Sequence, residues 1–158
     1  MEMTPYLQLL NRLLQSFRHI NNAIDFVSLL APISLTEITS EEDRMDESLA
    51  SIPIRIHCFS FKDLEERTAE LELGLSKETG DLVNARVQTF FADTKERDNY
   101  WEAYIEPFFP LEFQRVDYPE YPGIPIREYR INGLAVGVNL EAELPFISTH
   151  VTLEGPPL

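Results

Sequence analysis

The sequence predicts an α+β domain: a long N-terminal helix packed on a largely antiparallel sheet of about six to seven strands, with one or two shorter helices. Three observations predict it. A helical apolar period runs through the first segment of the chain. Strict alternation of apolar and polar residues dominates the remaining two thirds of the sequence. The alternating runs are joined by short glycine-bearing turns of the hairpin kind. The chain has 158 residues and neither an internal repeat nor a glycine-serine linker, so it reads as one domain, 1–158. Within it, residues 1–31 form the N-terminal helix, 36–48 an acidic linker and 51–155 a sheet-rich body.

Thr4 can cap the first helix and Pro5 suits its first turn. Tyr6, Leu10, Leu13, Phe17, Ile20, Ile24 and Val27 recur at alternating spacings of four and three, a heptad seam widened by Leu7 and Leu14. Such a seam serves either of two ends. It can zip to a second copy through Leu10, Leu13, Phe17, Ile20 and Ile24, making a homodimer. It can equally lie across the chain's own sheet, and the widened stripe favours that reading. Pro32 stops the helix. The stretch TEITSEEDRMDES, 36–48, holds six acids against one arginine and reads as a solvated connection. It has no glycine to turn a calcium loop.

In SIPIRIHCFSF, Ile52, Ile54, Ile56 and Cys58 alternate with Pro53, Arg55 and His57, a half-buried strand with Pro53 at its start or on an edge. SFKDLEER is expected to form a short helix, because Ser60 and Asp63 are spaced as a capping box. TAELELGLSKETGDLVNARVQTFF is a hairpin around Glu78-Thr79-Gly80. Its register sets Leu71, Leu73 and Leu75 opposite Val87, Ala85 and Val83, and Glu72 opposite Arg86. DTKERDNYWEAYIEP gives a second helix capped by Asp93 or Thr94, burying Tyr100, Trp101, Tyr104 and Ile105. A strand is expected near 109–116. Asn132-Gly133 then turns a hairpin that pairs Ile131 with Leu134 and Tyr129 with Val136. Val138, Leu140, Ala142 and Leu144 continue that face, and FISTHVTLEG makes the last strand.

Function must come from charge and surface, because the chemistry-bearing residues are scattered. The three histidines, His19, His57 and His150, fall in different elements, and one cysteine cannot build a thiolate metal site. His57 and Cys58 are adjacent on a strand, so they point to opposite faces and cannot share a proton. No nucleotide-binding glycine loop, nucleophile elbow or HExxH pattern occurs. The expectation is therefore a protein that is not an enzyme, with no cofactor and no metal. A small-ligand or catalytic pocket between sheet and helix is the alternative, to be revealed by a deep polar cavity at His57 or His150.

The net charge is −14, which disfavours contact with phosphate backbones and hence with nucleic acid. The interrupted apolar run of MEMTPYLQLLNRLLQSFRHI fits neither a signal peptide nor a membrane span. With a single cysteine, that points to the cytoplasm. The excess of acid lies after residue 35, since Glu2 and Asp25 balance Arg12 and Arg18 before it.

The stretch VDYPEYPGIP, 116–125, supplies a candidate contact surface. Prolines hold Tyr118 and Tyr121 extended, Asp117 and Glu120 would favour a cation beside them, and Trp101 lies in the same aromatic-rich region. These five residues are the expected protein-binding site, with closure of the core as the plain alternative. The functional expectation is an acidic binding protein that masks a basic partner as an inhibitor, immunity-like antidote or chaperone. An assembly subunit joined through the N-terminal helix is the second reading.

Overall fold

The computed structural model describes residues 4–17, 36–46, 52–108, 114–116, 126–131, 133–139 and 144–153. It is α+β with an antiparallel sheet. The elements in chain order are helix α1 (Pro5–Ser16), β1 (Thr36–Asp46), β2 (Ile52–Lys62), β3 (Thr68–Ser76), β4 (Leu82–Phe90), helix α2 (Thr94–Tyr100), β5 (Gln114–Val116), β6 (Ile126–Ile131), β7 (Leu134–Asn139) and β8 (Phe146–Leu153). Six strands make the body of the sheet, in the spatial order β2-β3-β4-β8-β7-β6. β1 borders β2 and β5 borders β6, giving eight among the described residues. The six strands of the body agree with the lower end of the expected six to seven; of the acidic run 36–48, expected as a linker, Thr36–Asp46 is instead the edge strand β1. Thr36–Asp46 pairs antiparallel with β2, from Thr36 opposite Ser60 to Asp46 opposite Ile52. Acid content misleads at a sheet edge, where charged residues are well tolerated because one side of the strand meets water.

α1 starts where expected, with the Thr4 hydroxyl accepting from the Leu7 N–H at 3.2 Å. The long helix over 1–31 is not what the structure describes. α1 covers Pro5–Ser16 with Phe17 as its C-cap, and residues 18–35, with Ile20 and Ile24, lie outside the described residues. α2 is capped by Asp93, whose carboxylate accepts from the Glu96 N–H at 2.8 Å. It continues through a π turn, Trp101–Ile105, into a 3-10 turn, Glu106–Phe108. Pro107 sits inside that 3-10 turn.

The β3–β4 register matches the sequence reading from Ala69 opposite Thr89 to Gly74 opposite Asn84, including the Glu72–Arg86 ion pair at 2.8 Å. It departs near the turn. Leu75 pairs with Leu82, not Val83, and the irregularity carries Val83 into a small cluster with Ile54 and Ile56. Gly74 sits close to its neighbour there: a Cβ would lie 2.3 Å from Asn84 Oδ1, so the Asn84 side chain would have to move to admit one. The Asn132-Gly133 hairpin has the expected pairs, Ile131 with Leu134 and Tyr129 with Val136. Gly133 takes a positive φ of 76°, as such a turn demands.

Two further expectations change. SFKDLEER is helical only over Leu64–Glu66, a single 3-10 turn with a non-helical residue inside it, and its first three residues belong to β2. The Arg67 N–H donates to the Leu64 carbonyl at 3.1 Å, and Glu65 and Glu66 have φ of 60° and 59°. Strand pairing on both sides outweighs the local capping pattern. β2 also faces the other way from its simplest reading. Phe59 and Phe61 enter the main core, while Ile54 and Ile56 cluster with Val83 and the half-buried Cys58. Strand alternation puts these on opposite faces. Both faces of β2 are apolar, and the two phenylalanines present the larger area to the main core.

That main core lies between one face of the sheet and the two helices. α1 contributes Tyr6, Leu9, Leu10, Leu13 and Phe17, all essentially inaccessible, and α2 with its π turn adds Tyr100, Trp101 and Ile105. No helix among the described residues is long and apolar enough to cross a membrane.

Candidate functional site

Two groupings of polar and aromatic side chains stand out, one inside the molecule and one on it. The inner one is built on Asp63, the first residue after β2, which is buried. One carboxylate oxygen accepts from the Tyr6 backbone N–H at 3.2 Å, and the other accepts from the Tyr100 hydroxyl at 2.5 Å. A carboxylate so placed satisfies an orphan donor at the start of α1 and opposes the positive end of its dipole. The Tyr100 oxygen also lies 3.2 Å from Thr4 Oγ1. The Tyr6 hydroxyl donates to the Val87 carbonyl at 3.0 Å and sits 2.5 Å from Thr149 Oγ1. Beside this group, the Arg67 guanidinium lies over the rings of Phe91 and Tyr100 and pairs with Glu96. One cluster thereby joins α1, α2, the β2–β3 turn, β4 and β8.

Its chemistry is that of a fastening. Burial pushes the Tyr100 phenol far above its ordinary range, and the Asp63 charge adds to the shift. Burial likewise raises Tyr6, with Asp63 contributing. Both phenols therefore keep their protons at neutral pH, and neither is tuned as a general acid or base. Among the described residues, no group of three or more His, Cys, Asp or Glu side chains converges to hold a metal ion. His57 is half-buried on β2 and His150 is exposed on β8.

The outer grouping sits where β4 ends and β8 begins. Phe90 pairs with Phe146 across the strands, on the face opposite the inaccessible Thr89 and Ile147. Their ring centroids are 6.4 Å apart. Phe90, 38% accessible, and Leu144, 40%, are the exposed large hydrophobics among the described residues. Arg97 links Leu144 to α2. Its Nη1 donates to the Leu144 carbonyl at 2.7 Å, and its Nη2 reaches Asp98 at 2.9 Å.

The residues expected to bind a partner are distributed differently. Trp101 is 4% accessible and belongs to the core, so it cannot be a surface anchor as it stands. Asp117, Tyr118, Glu120 and Tyr121 lie outside the described residues. Of the seam expected to dimerise, Leu10, Leu13 and Phe17 are spent on the chain's own core. Phe90 is legible in the sequence, because the alternation that buries Val87 and Thr89 turns Phe90 outward. Leu144, expected to continue the buried face of β7, is exposed because it precedes β8 in a bend. Comparison with protein-family models, curated proteins and solved structures finds no match to this chain.

Proposed function

We propose that this protein is an acidic binding protein that captures and masks a basic partner protein, in the manner of an inhibitor, antidote or chaperone. The observation that carries this reading is the excess of acid that the fold leaves exposed while three of its arginines pair within the molecule. Arg67 is turned onto Glu96 and two aromatic rings, Arg86 onto Glu72, and Arg97 onto Asp98 and a backbone carbonyl. The exposed charge among the described residues is then Glu65, Glu66, Glu78, Asp81, Asp93, Asp98, Glu102 and Glu106 against Arg12, Lys62, Lys77 and Lys95. Eight exposed acids against four exposed cations thus carry onto the described surface the same two-to-one excess of acid that gives the chain, with 27 acids and 13 cations, its net charge of −14. Such a surface raises the encounter rate with a cationic protein and repels nucleic acid.

Capture from a lysate on the immobilised protein, with identification of the retained polypeptides, tests the reading. Basic polypeptides are expected, held at low salt and released when ionic strength is raised about tenfold, because screening shortens the reach of surface charge. Retention of neutral or acidic proteins that ignore salt would overturn it.

A further inference from the structure

We infer that a basic partner docks on the sheet face turned away from the helices, and that it lays an extended segment there. A lysine of that segment enters a recess beside Glu70, and an apolar residue two positions along covers Phe90 and Phe146. The inference rests on the reading of a basic partner and gives it a chemistry and a place.

Strand pairing puts these groups on one surface. Glu70 pairs with Gln88, and Gln88 with Ser148, a row across β3, β4 and β8. Alternation turns all three to the face opposite the buried Leu71, Val87 and Thr149. The next row on one side is Phe90 with Phe146. The next on the other side is Glu72, Arg86 and His150. The aromatic pair and the carboxylates are therefore neighbours on a single face. Phe90 follows Gln88 by two residues, about 7 Å along the strand.

The two polar rows and Cys58 enclose a recess of about 30 Å³, lined by Cys58, Glu70, Leu71, Glu72, Arg86 and Gln88. Arg86 is held by Glu72 at 2.8 Å. The side chains of Glu70, Gln88 and Ser148 have no hydrogen-bond or ion-pair partner among the described residues, although Ser148 is only 8% accessible. A half-buried carboxylate without a counter-charge, beside two unused side-chain oxygens, is a set of acceptors lacking a donor. Arg86 answers Glu72, so the charge left over is that of Glu70, and the donor it fits is a cation. Size decides which one. The recess has about the room that one water molecule takes in the liquid. That suits the compact ammonium of lysine with its three donors and is too small for a planar guanidinium. In an extended segment, side chains two positions apart point the same way at the same spacing of about 7 Å. A lysine seated at Glu70 thereby carries its second neighbour over the two phenylalanines.

The test titrates the isotopically labelled protein with short blocked peptides in a serine–glycine host and follows its NMR shifts. The first peptide has one lysine with a leucine two residues away on either side. In the others the leucines move next to the lysine, or arginine or glutamate replaces the lysine. The first peptide is expected to give saturable shifts at Glu70, Gln88, Phe90 and Ser148. The adjacent-leucine and arginine peptides should bind more weakly, and the glutamate peptide should not bind. Glu70→Gln and Phe90→Ser, each first shown to keep its melting temperature, should each weaken the first peptide about fivefold. Shifts confined to other residues overturn the inference, as does equal binding of the arginine, glutamate or adjacent-leucine peptide. Concentration-dependent shifts at Phe90 without peptide would name a second copy of the chain as the occupant and also overturn it. A Glu70→Gln/Phe90→Ser protein that captures basic polypeptides from lysate as fully as the unaltered protein places the partner elsewhere and leaves the basic-partner reading standing.

Discussion

The carboxylate of Asp63 accepts the backbone N–H of Tyr6 across 57 positions of sequence. This places the turn after β2 as a tertiary cap on α1. The same carboxylate takes the Tyr100 hydroxyl, so one residue fixes both helices against the sheet. Asp63→Ala leaves two buried donors without their acceptor and should cost about 2–4 kcal/mol in urea denaturation. Asp63→Asn keeps one accepting oxygen and should cost less. Equal, small effects would show that the cluster contributes nothing to stability.

Alkaline pH should attack the same place. Tyr6 and Tyr100 are held protonated by burial, well above their ordinary value of 10.0. In the unfolded chain they ionise near that value, so above it the folded state binds more protons than the unfolded one. Stability is therefore complete below about pH 10 and falls as pH rises beyond it, by up to about 1.4 kcal/mol per pH unit for each tyrosine. Denaturation midpoints measured from pH 8 to 11 should show this slope, and Tyr6→Phe or Tyr100→Phe should flatten it.

The β2–β3 turn carries removable strain. Glu65 and Glu66 both sit in the left-handed region, where a side chain costs about 1–2 kcal/mol per residue. Asn-Gly is the pair this turn geometry favours. Glu65→Asn with Glu66→Gly should raise stability by about 1–2 kcal/mol, a gain of a few degrees in melting temperature. The Glu65–Arg67 pair at 3.8 Å, with its carboxylate open to solvent, is worth too little to offset it. An unchanged melting temperature would mean that the turn is unstrained.

Trp101 and Phe90 should separate core from surface. Trp101→Ala removes a buried indole and should destabilise by about 3–5 kcal/mol. Phe90→Ser should change stability by about 0.5 kcal/mol or less. Thermal melts of the two variants decide the matter, and similar losses would place Phe90 in the core.

The hairpins are readable in the sequence because turn chemistry and alternation agree there. Asn132-Gly133 leaves one choice of register, and Glu72 opposite Arg86 supports the phase set by Leu71 and Leu73. β1 is not readable, since its acids mimic a solvated connection while its backbone pairs with β2. β2 misleads for a different reason: Ile54, Ile56, Phe59 and Phe61 are apolar on both faces, so alternation alone cannot say which face meets the helices. The inner cluster is the least legible part. Thr4, Asp63, Tyr100 and Thr149 meet only through tertiary contacts, and no spacing in the sequence announces them. On the surface, composition tells the sign of the charge but not that Arg67 and Arg97 are drawn under neighbouring side chains.

The order of the strands has a consequence for how the molecule comes into being. Among the described residues, β8 lies between β4 and β7 and joins the β1–β4 meander to the β5–β7 meander. Synthesis runs from the N-terminus, so this keystone emerges from the ribosome after every other strand of the sheet. Until it does, the exposed flanks of β4 and β7 stand open as two unfinished borders. A nascent chain halted before Phe146 would carry two half-sheets with nothing between them, and that is when it would most need an escort against self-association.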